Sequence, residues 1–270
     1  MQKRRGKQIR NKIFKIYNCL LVSVMLIDFV MFTDKGERLI NEDFVCEAHS
    51  DGNYVFVLAD GLGGHGGGDV ASKLVAETIT SLFENNCSVN FIDKCFIEAQ
   101  KLLLEHQKCQ HTSTSMKTTA VVLYIKDNKI NYGHIGDSRL YFIKKGKIIS
   151  RTLDHSVPQM LVFSGEIKEK DIRHHEDRNR LLRCMGNEWD DTCPKYQIDV
   201  QDLQAERGMN FLLCSDGFWE WITEKEIQKI LKKRISAKEQ IEKMCETVLK
   251  NGKGKNMDNY SAILVKVKGV

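Results

Sequence analysis

An α+β fold, a central sandwich of two mainly antiparallel β-sheets flanked by helix pairs, is the architecture this sequence predicts. Two observations carry it. The middle of the chain has strand-like runs at Thr119–Ile125, Lys129–Ile135 and Arg139–Ile143, joined by turn sequences at Asp127-Asn128 and Lys144-Lys-Gly-Lys147. Tandem hairpins of this kind pair antiparallel. Blocks of such strands also alternate with pairs of helix-like segments, which suits packed sheets with helices outside.

The elements follow in order. Residues 25–32 form the first strand, and a polar loop from Thr33 to Asp43 leads to a second at Phe44–Ala48. Asp51-Gly-Asn53 turns the chain into the most apolar strand, Tyr54-Val-Phe-Val-Leu-Ala59, which ends in Asp60 and a run of glycines. From Asp69 the apolar positions Val70, Leu74, Val75, Ile79, Leu82 and Phe83 fall on one helical face. A second helix places Phe91, Cys95, Phe96, Ala99, Leu102 and Leu103 alike. Residues 154–200 read as irregular and rich in His and Arg, and a long loop in a compact domain is usually functional. Phe211-Leu-Leu-Cys-Ser then delivers Asp216-Gly217, repeating the Asp60-Gly61 pattern. Thr223-x-x-Glu226 and Ser236-x-x-Glu239 are capping boxes that start two helices, Asn251-Gly252 closes the second, and the chain ends on the strand Tyr260–Val267.

Composition narrows the function. The 270 residues carry a formal charge of +5, but seven bases and no acid lie in the first fifteen positions. Without these seven, 34 of the 41 bases face 36 acids. A near-neutral body lacks the electrostatic footprint of a nucleic-acid binder. The nine cysteines are scattered with no CxxC pair, as in a reduced cytoplasmic protein without a zinc site. The apolar run Cys19–Ile27 is too short to span a bilayer and is broken by Asp28. We therefore divide the chain into a basic N-terminal extension, 1–24, and one domain, 25–270. Membrane contact by the basic segment is the disfavoured reading.

Gly61-x-Gly63-x-x-Gly66 matches a dinucleotide fingerprint in form, yet no parallel strand with a terminal acid follows. No Gly-Lys-Ser/Thr closes a P-loop either. The informative pattern is acids at strand edges: Asp43, Asp60, Asp137, Asp216 and Asp258. Each alone reads as a turn or cap residue. Jointly, with bare glycine backbone and no His/Cys cluster, they describe the oxygen-only coordination that suits Mn²⁺ or Mg²⁺. Pairs of such ions about 4 Å apart serve phosphoester hydrolysis without a covalent intermediate.

In order along residues 25–268, Arg38-Leu-Ile-Asn-Glu42-Asp43, Ala59-Asp-Gly-Leu-Gly-Gly-His65, Thr118-Thr119-Ala, Gly136-Asp-Ser-Arg139, Leu153-Asp-His-Ser156, Arg178-Asn179, Cys214-Ser-Asp216-Gly217 and Asp258-Asn259 resemble the motifs of the bacterial metal-dependent Ser/Thr protein phosphatases of type 2C, the PPM family. The resemblance implies the type 2C phosphatase fold, with metals in a cleft at one end of the sandwich. It implies that Asp60 bridges two metals, that the Gly61 carbonyl binds one, that Asp216 and Asp258 hold the other and that Asp43 contributes. Glu42 would stand behind these ligands, Asn259 would support them, and Arg38 would grip the substrate phosphate. Asp137 would complete a third, weaker metal site with Asp216, and residues 154–185 would form a flap.

The chain departs from the family pattern at Leu62, where some members carry a general-acid histidine, and at Lys117, where Gly is usual. His65 is the nearby candidate acid. The expected activity is metal-dependent hydrolysis of phosphoserine and phosphothreonine on proteins by a cytoplasmic monomer opposing a Ser/Thr kinase. The alternatives are a catalytically inactive module of the same fold, disfavoured because every metal acid is retained, and a small-molecule phosphoesterase.

Overall fold

The computed structural model describes residues 25–62, 66–85, 90–110, 116–189 and 195–269. Its strands are β1 (Leu26–Asp34), β2 (Asp43–Ser50), β3 (Asn53–Leu62), β4 (Lys117–Thr118), β5 (Ala120–Lys126), β6 (Lys129–Ile135), β7 (Arg139–Lys144), β8 (Lys147–Arg151), β9 (Gln197–Gln204), β10 (Met209–Cys214) and β11 (Tyr260–Gly269). The helices are α1 (Gly68–Glu84), α2 (Phe91–Gln110), α3 (Val157–Phe163), α4 (Asp216–Trp219), α5 (Glu224–Leu231) and α6 (Ala237–Gly252), with a 3₁₀ turn at Glu169–His174. The extension 1–24 and His65 lie outside the described residues.

One sheet runs β1-β11-β10-β7-β8 and the other β2-β3-β5-β6-β9, with β4 added on β3. All the pairings are antiparallel. Phe56 and Leu58 of β3 share the layer between the sheets with Phe211, Leu213, Ile263 and Val265. The alternate residues Val55, Val57 and Ala59 pack with Val75, Ile79, Phe96 and Leu103 of α1 and α2. On the other sheet Leu212 and Leu264 meet Ile227, Ile241, Met244 and Val248 of α5 and α6. Covered on both faces, these strands are apolar throughout instead of alternating.

The turns obey local chemistry. Asp127 and Asn128 take φ of 50° and 61°, a left-handed pair that Asp and Asn tolerate better than other side-chain-bearing residues. Both predicted capping boxes are formed, Thr223 with Glu226 and Ser236 with Glu239. Two helix faces are narrower than expected: Val70 and Leu102 are each 42% exposed, and small Ala71 and Ala76 help fill the α1 stripe. The stretch 154–200 is also more ordered than its sequence suggests. It contains α3, which starts after Ser156 with Pro158 in its first turn, and the beginning of edge strand β9, whose register shifts against β6. That irregularity disrupts the period-2 pattern by which a strand is read.

Register decides where the site lies. Asp34 pairs with Tyr260, Ala262 with Cys214, and Cys214 with Arg139. Asp43 pairs with Asp60 in the second sheet. The ends of β1, β3 and β10 and the starts of β2, β7 and β11 therefore gather at one end of the sandwich.

Candidate active site

Five carboxylates meet at that end because five strand termini do. Asp43 opens β2 across the ladder from Asp60, and Asp137 lies where the chain crosses from β6 of one sheet to β7 of the other. Asp216 begins α4 directly after β10, and Asp258 precedes β11. Asp60, Asp137, Asp216 and Asp258 line one cleft of about 770 Å³, together with Arg38, Glu42, Gly61 and Asn259. Asp43 is buried, and Ser215 Oγ donates to its Oδ2 at 2.8 Å.

The glycines after the acids have steric reasons. A Cβ on Gly61 would collide with the carbonyl oxygens of Gly68 and Glu42, and one on Gly217 with the Asn259 carbonyl. These close approaches bring β3 against the α1 N-terminus and Asp216 against Asp258. The Asp60 backbone is fixed on its other side. Thr118 Oγ1 and Thr119 N both donate to its carbonyl at 2.8 Å, and its own N–H donates to Thr119 Oγ1 at 3.1 Å. Asn259 stitches the loop from Lys35 to Glu42 onto the start of β11: its Oδ1 accepts from Glu42 N at 2.8 Å, and its Nδ2 donates to the carbonyls of Lys35 and Ile40 at 2.9 Å.

The electrostatics are those of an anionic pocket that its arginines compensate only in part. Burial first, then the charges of Asp216 and Asp258, push the Asp43 carboxyl up to about 7. Burial and the neighbouring acids raise Asp60 and Asp137 well above the ordinary carboxylate range. Asp216 is raised by burial and by Asp258, against the pull of Arg178. Among the described residues no basic side chain forms an ion pair with Asp43, Asp60 or Asp137. Asp258 instead receives Arg38 through two hydrogen bonds of 3.0 and 2.9 Å. Arg178 Nη1 lies 3.7 Å from Asp216 and 2.9 Å from Glu220, whose carboxyl burial lifts to about 7.

The donor chemistry fits hard divalent cations. Asp43 Oδ1 is buried with no hydrogen-bond partner, and like-charged carboxylates packed this closely stay ionised only beside added positive charge. As they stand, no three His, Cys, Asp or Glu side chains among the described residues come together to hold a metal ion. Asp258 and Asp216 face their arginines instead.

The structure thus brings Arg38, Glu42, Asp43, Asp60, Gly61, Asp137, Asp216, Asp258 and Asn259 to one place. Arg38 differs from expectation in being held by an acid of the site. The sequence reading assigned no role to Ser215, Glu37 or Glu220. Ser215 orients Asp43, and Glu37 accepts from Gly254 N and Met257 N to pin the Arg38 loop. Glu220 had a legible signal, since it lies one helical turn beyond Asp216 and so on the same face.

An antiparallel sandwich with acids clustered at its open end and arginines at the rim has the features of a metal-dependent phosphatase. Residues 35–260 match the family model of Protein phosphatase 2C, and the chain belongs to that family. It is 28% identical over 243 residues to the serine/threonine phosphatase stp of Listeria monocytogenes, covering 86% of this chain and 93% of the relative. To the protein phosphatase PhpP of Streptococcus pneumoniae it is 29% identical, over 87% of this chain and 95% of the relative. The crystal structure of serine/threonine phosphatase Stp1 from Staphylococcus aureus superposes with a TM-score of 0.78 at 27% identity, covering 90% of this chain and 96% of that one. The PstP catalytic domain in complex with two manganese ions superposes at 0.76 with 25% identity, covering 91% and 100%. Among the described residues no helix is long and apolar enough to cross a membrane.

Proposed function

We propose that this chain removes phosphate from phosphoserine and phosphothreonine on proteins, opposing a Ser/Thr kinase in bacterial signalling. The observation that carries the reading is the convergence of Asp43, Asp60, Asp137, Asp216 and Asp258 on one end of the sandwich, three of them without a cationic partner among the described residues. Two Mn²⁺ or Mg²⁺ ions would be held there by Asp60, the Gly61 carbonyl, Asp216 and Asp258, with Asp43 behind; Asp137 and Asp216 would hold a weaker third. When bound, such ions acidify water and neutralise charge developing on phosphoryl oxygens. The chain's own residues position the substrate. Arg38 leaves Asp258 and offers its planar fork to the phosphate, a geometry that an ammonium does not match. Glu42, raised by burial and by the nearby charges of Asp69 and Asp258, stays behind the ligands.

The test is phosphate release from a phosphothreonine peptide by purified protein, with Mn²⁺ and with a chelator. Metal-dependent release is expected. No release with Mn²⁺ would leave an inactive module of the same fold. Release from nucleotides or sugar phosphates alone would make it a small-molecule esterase.

A further inference from the structure

The cleft has a second chemistry beside its carboxylates. Leu39, Ile40 and Leu181 line it as well. Leu39 is 94% exposed and Ile40 60%. Single exposed aliphatics are ordinary on protein surfaces, but these two are adjacent and sit on a backbone that is not free to fold them away. Ile40 O and Lys35 O are tied to Asn259, Glu37 N donates to Met257 O at 3.0 Å, and Gly36 packs against the Asp258 carbonyl with no space for a Cβ. Leu181 comes from another fixed segment. It bridges to Ser156, while Val157 N donates to Arg180 O at 2.9 Å and Leu182 N to His155 O at 2.8 Å. A rigid apolar lip therefore borders the acids and loses its contact with water only when a ligand covers it.

We propose that Leu39, Ile40 and Leu181 take up an aliphatic or aromatic side chain flanking the phosphorylated residue, so that this enzyme prefers phosphoproteins with an apolar neighbour at that position. The proposal rests on the phosphatase reading above. Its occupant follows from continuity: Leu39 and Ile40 are the next two residues after Arg38. A phosphoresidue gripped by Arg38 has its own neighbour about 3.5 Å further along an extended peptide, within reach of the lip. Charge points the same way, because Glu37, next to Arg38 and Leu39, lines the same cleft and disfavours an acidic neighbour.

The experiment measures kcat/KM with Mn²⁺ on matched phosphothreonine peptides carrying Leu, Lys or Glu beside the phosphothreonine. The native chain is expected to favour the Leu peptide about tenfold, mainly through KM, the size expected for covering one aliphatic side chain. In a Leu39→Ser/Ile40→Ser variant the ratio should collapse to about twofold or less, while Leu39→Met keeps it. A native chain without preference, or a double variant that retains it, overturns the lip while leaving the phosphatase reading intact. A native chain inactive on every peptide overturns that reading and the lip with it.

Discussion

Asp154 and Asp43 are buried equally, each 5% exposed, and they meet opposite fates. Burial alone would raise both. Asp154 receives the Arg139 guanidinium through hydrogen bonds of 2.8 and 2.7 Å, which outweighs burial and holds its carboxyl below the usual range. Arg139 in turn lies 3.6 Å over the Trp219 ring, and Trp219 Nε1 donates to the Asp137 carbonyl at 3.0 Å. Asp43 has hydroxyl partners and other acids around it, and its carboxyl rises to about 7. A structural acid in this fold carries its own counter-charge. Among the described residues Asp43, Asp60 and Asp137 of the cleft have none, and that absence makes them candidates for ligating a cation.

Two substitutions break the contrast where it is largest. Asp60→Asn removes the proposed bridging carboxylate and should lower turnover by about 10³-fold or more. Because it also removes like-charge repulsion, the Tm of the metal-free protein should stay level or rise. Near-normal turnover at saturating Mn²⁺ would place the site elsewhere. Asp154→Ala does the reverse. It leaves the buried Arg139 with only the Tyr141 hydroxyl at 3.2 Å and the partly exposed Glu224 at 3.9 Å in place of a bidentate carboxylate, which costs about 3 kcal/mol of stability, read as a lower denaturation midpoint. An unchanged midpoint would mean that Trp219, Tyr141 and Glu224 together satisfy the guanidinium without Asp154.

A smaller effect separates the two arginine–aspartate pairs. Both are bidentate, but the side chains of Arg139 and Asp154 are 3% and 1% exposed, against 40% and 29% for Arg38 and Asp258. The exposed pair contributes about 0–1 kcal/mol to folding, so Arg38→Lys should barely move the midpoint. Its signature should be kinetic: KM for a phosphopeptide rises about tenfold as the planar fork is lost, with the fold intact. Unchanged KM in Arg38→Ala would make it a surface arginine.

Much of this was legible in the sequence because local rules and the global fold agree. The Asp51-Gly and Asp127-Asn128 turns, the Thr223 and Ser236 caps and the doubly covered strands each announce themselves through residue type and period. The site acids were legible as a set, since five Asp residues at strand edges describe one site only if the edges converge. What stayed hidden depends on tertiary partners. No spacing indicates that Ser215 would hold Asp43 or that Asp258 would hold Arg38. Nor does it say that Leu39 and Ile40, read simply as part of a polar loop, would be kept in water by Asn259 and Glu37. Strand β9 was missed for the same reason, because its bulged pairing with β6 is set by its neighbour.

The smallest effect tests the uncompensated charge without any catalysis, through the pH dependence of Tm in the metal-free protein. Asp43 and Glu220, both lifted to about 7 chiefly by burial, keep protons in the folded state that the unfolded chain releases near pH 4. Their contribution to stability is full below pH 4 and is lost as pH rises through 7. His155 acts in the opposite sense. Burial, with His134 stacked at 4.4 Å, pushes it down to about 3, so stability is lost as pH falls below about 6.5, where the unfolded histidine takes up a proton. Asp154, held low by Arg139, counts only below about pH 4. Above pH 6.5 the acids act unopposed by His155, and Tm should fall by about 2–4 °C between pH 6.5 and 8. Asp43→Asn should reduce that slope. Saturating Mn²⁺ should flatten or reverse it, because cation binding favours the deprotonated carboxylates and stabilises the folded state more as pH rises. A metal-free profile that is flat from pH 6.5 to 8 would show that the protein neutralises these acids itself, and the contrast between Asp43 and Asp154 would fall.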